Sequence, residues 1–192
     1  MELTNKGTGA GGKNTNYYGK QFEEKTSSEN FLINNGFIRK EYPSSTTKYN
    51  YYLHKIYEDK QVFFMLQNGL KKFAKNRYNL DLFRCPDEAY IIEFNDGRKV
   101  VNIIEKKEQN REGSVETKMW SCPSLKREYE LIFGVEFSIE YSLCINEFLE
   151  NKIKSNETKY KILKIILQEN RINVLFGDNE NYLETLRNYL RI

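Results

Sequence analysis

One histidine and three cysteines in 192 residues leave little material for a soft metal site or a Cys–His nucleophile. Cys85, Cys122 and Cys144 are an odd number without metal-ligand spacing. That suits free thiols in a reducing, intracellular compartment, so a cytoplasmic location is expected. His54 stands alone in a tyrosine-rich stretch and reads as a packing residue rather than a ligand. No apolar run approaches the roughly 18 residues that span a bilayer, and the N-terminus carries no apolar signal segment, so no membrane partner is expected. Charge of one sign is also missing: 30% of residues are charged, yet the net charge is only +3. This balance excludes a bulk field for polyanions, and any nucleic-acid contact must use a local basic surface. There are only 3 prolines, and neither an internal repeat nor a low-complexity linker divides the chain. A single domain over residues 1–192 is expected, long enough to bury one sizeable core.

Glycine is uneven rather than scarce. The run Gly7-Thr8-Gly9-Ala10-Gly11-Gly12-Lys13-Asn14 nearly spells a phosphate-binding loop and contains a G-x-G-x-x-G. Both motifs need a strand before and a helix after, and only six residues precede Gly7. Asn14 also stands where a Ser or Thr would hold Mg²⁺. The run reads as a flexible N-terminal arm over residues 1–16, either without a contact role or touching DNA phosphate through Lys13 and its backbone amides.

Periodicity and turn signals give the remaining elements. A helix is expected from Tyr17 to about Ile33, with Phe22, Thr26 and Leu32/Ile33 near one face. Strands follow at 37–42, 49–57 and 61–65, then a basic helix at 66–78 carrying Lys71, Lys72, Lys75 and Arg77. Beyond Asn110, Ser114 caps a short helix, and Pro123 opens another that stops at Gly134. Leu125, Tyr129 and Ile132/Phe133 form its inner stripe. Residues 136–144 alternate as a half-buried strand, 147–170 form two helices around Ser155-Asn156, 172–176 a strand, and 180–192 a closing helix. Leu183, Leu186 and Leu190 on that last helix suit a core or a dimer contact. The fold class is therefore α/β (α+β), a mixed central β-sheet flanked by helices.

The chemistry gathers at residues 84–109. Ala89–Ile92 and Val100–Ile104 are short apolar runs around Asn95-Asp96-Gly97, the pattern of a buried hairpin. A two-residue turn sets Asp87 opposite Lys106. A three-residue loop with Gly97 in the left-handed conformation sets Asp87 opposite Glu105, Glu93 opposite Lys99 and Ile91 opposite Val101. The second register matches charges and apolar pairs across the strands and is preferred. Glu105 and Lys107 share one face, about 7 Å apart along the strand, while Lys106 points to the other, where its stem packs. Two carboxylates and an ammonium at a buried strand end can hold Mg²⁺ and stabilise attack on phosphorus. A surface hairpin with solvated charges accounts for the turn but not for that clustering.

Pro86-Asp87, followed by Glu105-Lys106-Lys107 at the end of an apolar strand, resembles the PD-(D/E)XK nuclease superfamily, and within it the type II restriction endonucleases. Gly19–Glu23, Arg84–Ala89 and Ile104–Lys118 carry the likeness, which spans Gly19 to Lys118, about half of the chain. The resemblance implies a restriction-endonuclease-like fold and a Mg²⁺-dependent endonuclease acting on double-stranded DNA as a homodimer. It makes Asp87 and Glu105 metal ligands, Lys107 the catalytic lysine, Gln109 a polar neighbour and Glu23 a helix-borne acidic residue of the site. Lys13, Lys20, Arg84, Lys118, Lys126 and Arg127 are the candidate DNA contacts, ordinary surface charge being the alternative for each. A repair or junction nuclease of the same superfamily and a non-catalytic DNA-binding or regulatory protein are the competing readings.

Overall fold

The structure is a computed structural model and describes residues 13–42, 48–110 and 115–192. Two helices, α1 (Lys13–Lys25) and α2 (Glu29–Asn34), precede strands β1 (Ile38–Glu41), β2 (Tyr51–Ile56) and β3 (Lys60–Leu66). Helix α3 (Asn68–Tyr78) leads to the hairpin β4 (Glu88–Phe94) and β5 (Lys99–Lys107). Then come α4 (Val115–Trp120), α5 (Cys122–Phe133), β6 (Phe137–Ile145), α6 (Glu147–Lys154), α7 (Thr158–Glu169), β7 (Ile172–Phe176) and α8 (Tyr182–Leu190).

The seven strands form one mixed sheet in sequential order. β1 to β5 run antiparallel. β5, β6 and β7 are parallel, as connections through α4–α5 and α6–α7 require, because a parallel pair needs a long crossover. Apolar residues in unbroken runs rather than alternation make β4 and β5 central strands, buried on both faces. On one face Ala89, Ile91, Val101, Ile103, Tyr141 and Leu143 pack with α3, α5, α6 and α7. On the other, Tyr90, Ile92, Ile104 and Cys144 pack with Phe22 of α1, Leu32 of α2 and Leu186 and Leu190 of α8. The expected mixed sheet flanked by helices is thus present.

The hairpin takes the three-residue loop. Phe94 and Arg98 close it through a 2.9 Å bond, and Gly97 adopts φ +92, a conformation open to glycine at little cost. Glu93 pairs with Lys99 and Ile91 with Val101, so one further step beyond Glu88↔Ile104 brings Asp87 opposite Glu105.

Three expectations are corrected. The helix predicted from Tyr17 to Ile33 is two helices, because Thr26 bonds back to the Phe22 carbonyl at 2.6 Å and Ser28 turns its N–H and hydroxyl to a buried carboxylate. The arm predicted over 1–16 does not hold for its last residues, since 13–16 belong to α1. Residues 1–12 of that arm, and the proposed cap Ser114, lie outside the described residues. β6 is not half-buried along its length, since Tyr141 to Ile145 are all enclosed once α8 covers the second face. No helix among the described residues is long and apolar enough to cross a membrane.

Candidate active site

The site forms where β4 begins and β5 ends. Lys107 Nζ donates to Glu105 Oε2 at 2.8 Å and to the Lys106 carbonyl at 3.0 Å, and stands 3.6 Å from Asp87 Oδ2. The backbone N–H of Lys106 donates to the same Asp87 oxygen at 2.6 Å. The side chains of Asp87, Glu105 and Lys107 keep 18, 16 and 19% of their surface exposed. They are reachable from solvent, yet shielded enough for their charges to act strongly on one another.

Electrostatics show how tightly the group is balanced. Burial foremost, and then the neighbouring Asp87, push the Glu105 carboxyl above its ordinary value, although Lys107 pulls it down. Burial works against the Lys107 ammonium, but Glu105 and Asp87 outweigh it and hold that lysine above its usual range. Behind Glu105 stand Cys122, pushed up to about 12 by burial and by Glu105, and the hydroxyls of Tyr129 and Tyr141, raised for the same two reasons. All three are neutral near pH 7, so nothing on that wall offsets the carboxylates.

A cleft of about 320 Å³ opens beside Asp87, lined also by Lys20, Glu23, Lys48, Tyr49 and Gln67. Glu23 projects from α1 into this space. Burial, and then Asp87, raise its carboxyl, which places it in the electrostatic neighbourhood expected of it. Gln109 lies beyond β5 and is buried, its N–H and carbonyl bonded to the Asn146 side chain at 3.3 and 3.1 Å. It braces the start of α6.

The candidate DNA contacts come from α1, the segment before β4, α4 and α5. Lys20 borders the cleft and pairs with Glu24 at 3.6 Å. Arg84 pairs with Glu128 of α5. Lys118 is exposed on α4. Lys126 is committed to the fold, bonding the Asn170 carbonyl at 2.9 Å, with only 12% of its side chain exposed. Arg127 is exposed and bonds Glu130. Lys13 opens α1. On α3, Lys71, Lys72, Lys75 and Arg77 bond Phe83, Asn50, Asp81 and Glu93 respectively, so that basic helix is tied down within the fold.

Two features escaped the sequence reading. Lys106 lies on the opposite face of β5 from Glu105 and Lys107, but it also borders the cleft and buries more than its stem: its ammonium meets Glu88 at 2.7 Å and the Glu23 carbonyl at 3.3 Å. Glu88, fully enclosed, also accepts from the Ser28 N–H and hydroxyl. The signal was present, since Glu88 pairs with Ile104 and Lys106, two residues on, is its diagonal neighbour on the same face. The other feature is the cleft wall of Lys48, Tyr49 and Gln67: Tyr49 and Gln67, expected inside a strand and a helix, stand instead just before β2 and α3.

Among the described residues, no group of three or more His, Cys, Asp or Glu side chains is placed to hold a metal ion. The two carboxylates and the Lys106 carbonyl nevertheless make a set of hard oxygen donors. Compared with known proteins, the chain matches no family model, no curated protein and no solved structure.

Proposed function

We propose that the chain is a Mg²⁺-dependent endonuclease of the PD-(D/E)XK superfamily, cutting double-stranded DNA at a short specific sequence as a homodimer, in the manner of a type II restriction enzyme. The observation that carries this reading is the cross-strand placement of Asp87 and Glu105 with the Lys107 ammonium between them. A protein that only bound DNA would gain nothing from two carboxylates turned toward a phosphate.

The donor set fits the ion. Mg²⁺ prefers oxygen ligands and is often held by one or two carboxylates, with substrate and water completing its shell. Asp87, Glu105 and the Lys106 carbonyl would supply the protein's share. The raised Glu105 carboxyl supports the fit, because it shows that one ammonium does not fully compensate the buried pair. When bound, the ion makes its water a better nucleophile and offsets charge building on the phosphoryl oxygens.

The chain's own residues do the rest. Lys107, kept cationic by its two carboxylates, is a fixed positive charge for the attacked phosphate. The Lys106 N–H fixes the Asp87 carboxylate before substrate arrives, so little reorganisation is left for the reaction. Glu23, its carboxyl raised by burial and by Asp87, stands on the wall of the cleft that Asp87 borders. A two-fold dimer matches a palindromic site, one subunit on each strand.

Digestion of plasmid DNA with Mg²⁺ tests the reading. Discrete bands with uniform ends are expected, and none with EDTA. A smear at low enzyme, or cutting of branched DNA only, replaces the restriction enzyme with a non-specific, repair or junction nuclease. No cutting of any DNA leaves the non-catalytic DNA-binding protein.

A further inference from the structure

Five non-glycine residues among those described have positive φ: Tyr49, Gln67, Asn79, Arg171 and Arg191. Three of them end helices. Asn79 and Arg191 are the residues after α3 and α8, and Arg171 follows the C-cap Asn170 of α7, where a left-handed residue closes the last turn. Tyr49 and Gln67 end no helix, and both line the cleft beside Asp87. Gln67 is the more strained, with φ 39 and ψ −115, a region that a residue with a Cβ enters only when its surroundings force it.

The surroundings do force it. Gly69, in the first turn of α3, lies so close to β2 that an added Cβ would sit 3.1 Å from the Tyr51 carbonyl and 3.3 Å from that of Tyr49. Lys72 adds a 2.7 Å bond to the Asn50 side chain. The helix is therefore clamped against the start of β2, and the chain must leave β3 and enter α3 within one residue. β3 pairs with β4 as far as Leu66↔Glu88, so the next step sets Gln67 beside Asp87. A glycine would make this turn without strain. A glutamine makes it while presenting an amide to the cleft, and that side chain caps nothing: α3 receives no side-chain hydrogen bond from it. An amide is uncharged and both donates and accepts, so it can hold a phosphodiester strand next to a carboxylate without adding repulsion.

We propose that Gln67 is a substrate-positioning residue that hydrogen-bonds the nucleic-acid strand beside the phosphate at Asp87. The inference rests on the nuclease reading of the site. The Gln67 carbonyl accepts from the Leu70 N–H at 3.1 Å, a bond that a glycine would keep, and backbone strain kept for a side chain that caps nothing marks a place where function and stability oppose each other.

The experiment compares Gln67→Gly, Gln67→Asn and Asn79→Gly with the unaltered chain, by thermal unfolding and by steady-state cleavage of DNA with Mg²⁺. Gln67→Gly should melt at a higher temperature, yet lose about 10–100-fold in kcat/KM, the range for one hydrogen bond to a charged group. Gln67→Asn keeps the amide and tolerates positive φ, so it should recover part of that loss. Asn79→Gly, at the far end of the same helix, should leave cleavage unchanged. Gln67→Gly that cleaves as the unaltered chain does overturns the inference alone, and so does a variant that loses stability and activity together. An unaltered chain that cuts no DNA overturns the nuclease reading, and the role of Gln67 with it.

Discussion

Replacing Lys106 by methionine removes one member of an ion pair that water does not reach. Glu88 is 0% and Lys106 5% exposed, and the pair closes at 2.7 Å. Without the ammonium, the Glu88 carboxylate keeps only Ser28, at 3.0 Å through its N–H and 2.6 Å through its hydroxyl, and the short contact of that hydroxyl with Tyr90 at 2.5 Å. Breaking a buried pair by removing one partner typically costs about 3–5 kcal/mol, because an uncompensated charge remains. A domain of this size is stable by about 5–15 kcal/mol, so a fifth or more of its stability is at stake. At about 2–4 °C per kcal/mol for 150–250 residues, the midpoint should fall by roughly 6–20 °C.

The double variant Glu88→Gln/Lys106→Met separates the pair from its desolvation. It leaves no stranded charge, and the replacement of buried pairs by neutral groups is often close to neutral. Its loss should therefore be well below the sum of the two single losses, with a coupling of about 2 kcal/mol or more in urea unfolding. Additive effects, or a Lys106→Met variant within about 1 kcal/mol of the unaltered chain, would show that the pair is not the anchor described.

The other predictions concern the opposite face of the same strands. Asp87→Asn and Glu105→Gln should each abolish Mg²⁺-dependent cleavage while DNA affinity in EDTA stays equal or rises, as read by gel shift; full cleavage by either removes it from the metal site. Lys107→Ala should lower the cleavage rate by about 10²–10³-fold, the usual loss for one aligned charge-stabilising donor, with little change in DNA affinity. Because the folded Glu105 carboxyl lies above its ordinary value of 4.5, its proton competes with the cation from a higher pH. The acid limb of the pH–rate profile should accordingly fall above that of a free glutamate. The same direction fixes a stability effect. A raised carboxyl stabilises the fold fully below its unfolded value and loses this as pH rises through the folded one, so Glu105→Gln should raise the thermal midpoint at pH 7, and a lower midpoint would contradict the stated balance of charges.

Much of this fold could be read from the chain because its signals were local. The loop Asn95-Asp96-Gly97 was legible from charge matching, Glu93 against Lys99, and the same matching set Asp87 opposite Glu105. Pro123 and Gly134 marked the ends of α5, and Ser155-Asn156 the break between α6 and α7. What failed depended on partners distant in sequence. Nothing near Ser28 announces that it turns toward Glu88, 60 residues on, so the helix was drawn through it. Lys126 looked free until α7 came to rest beside it. Tyr49 and Gln67 owe their conformations to the clamping of α3 on β2, a contact between elements that neither segment encodes alone.

The alternation of β5 explains why the carboxylates of the site need Lys106 as well as Lys107. Consecutive residues of a strand face opposite ways, so Glu105 and Lys107 share the face of Asp87, while Lys106 turns to α1 and borders the cleft. Lys106 touches both sides of the sheet through different atoms. Its N–H fixes Asp87, its carbonyl receives the Lys107 ammonium, and its own ammonium is held by Glu88 and by the Glu23 backbone. The helix that carries Glu23 to the cleft is thus fastened to the strand that carries Glu105. A lysine with a free ammonium at 106 would leave that strand end to fray, since β5 stops one residue later. The buried pair on the inert face is what lets three charges on the other face stand within a few ångströms of one another and stay there.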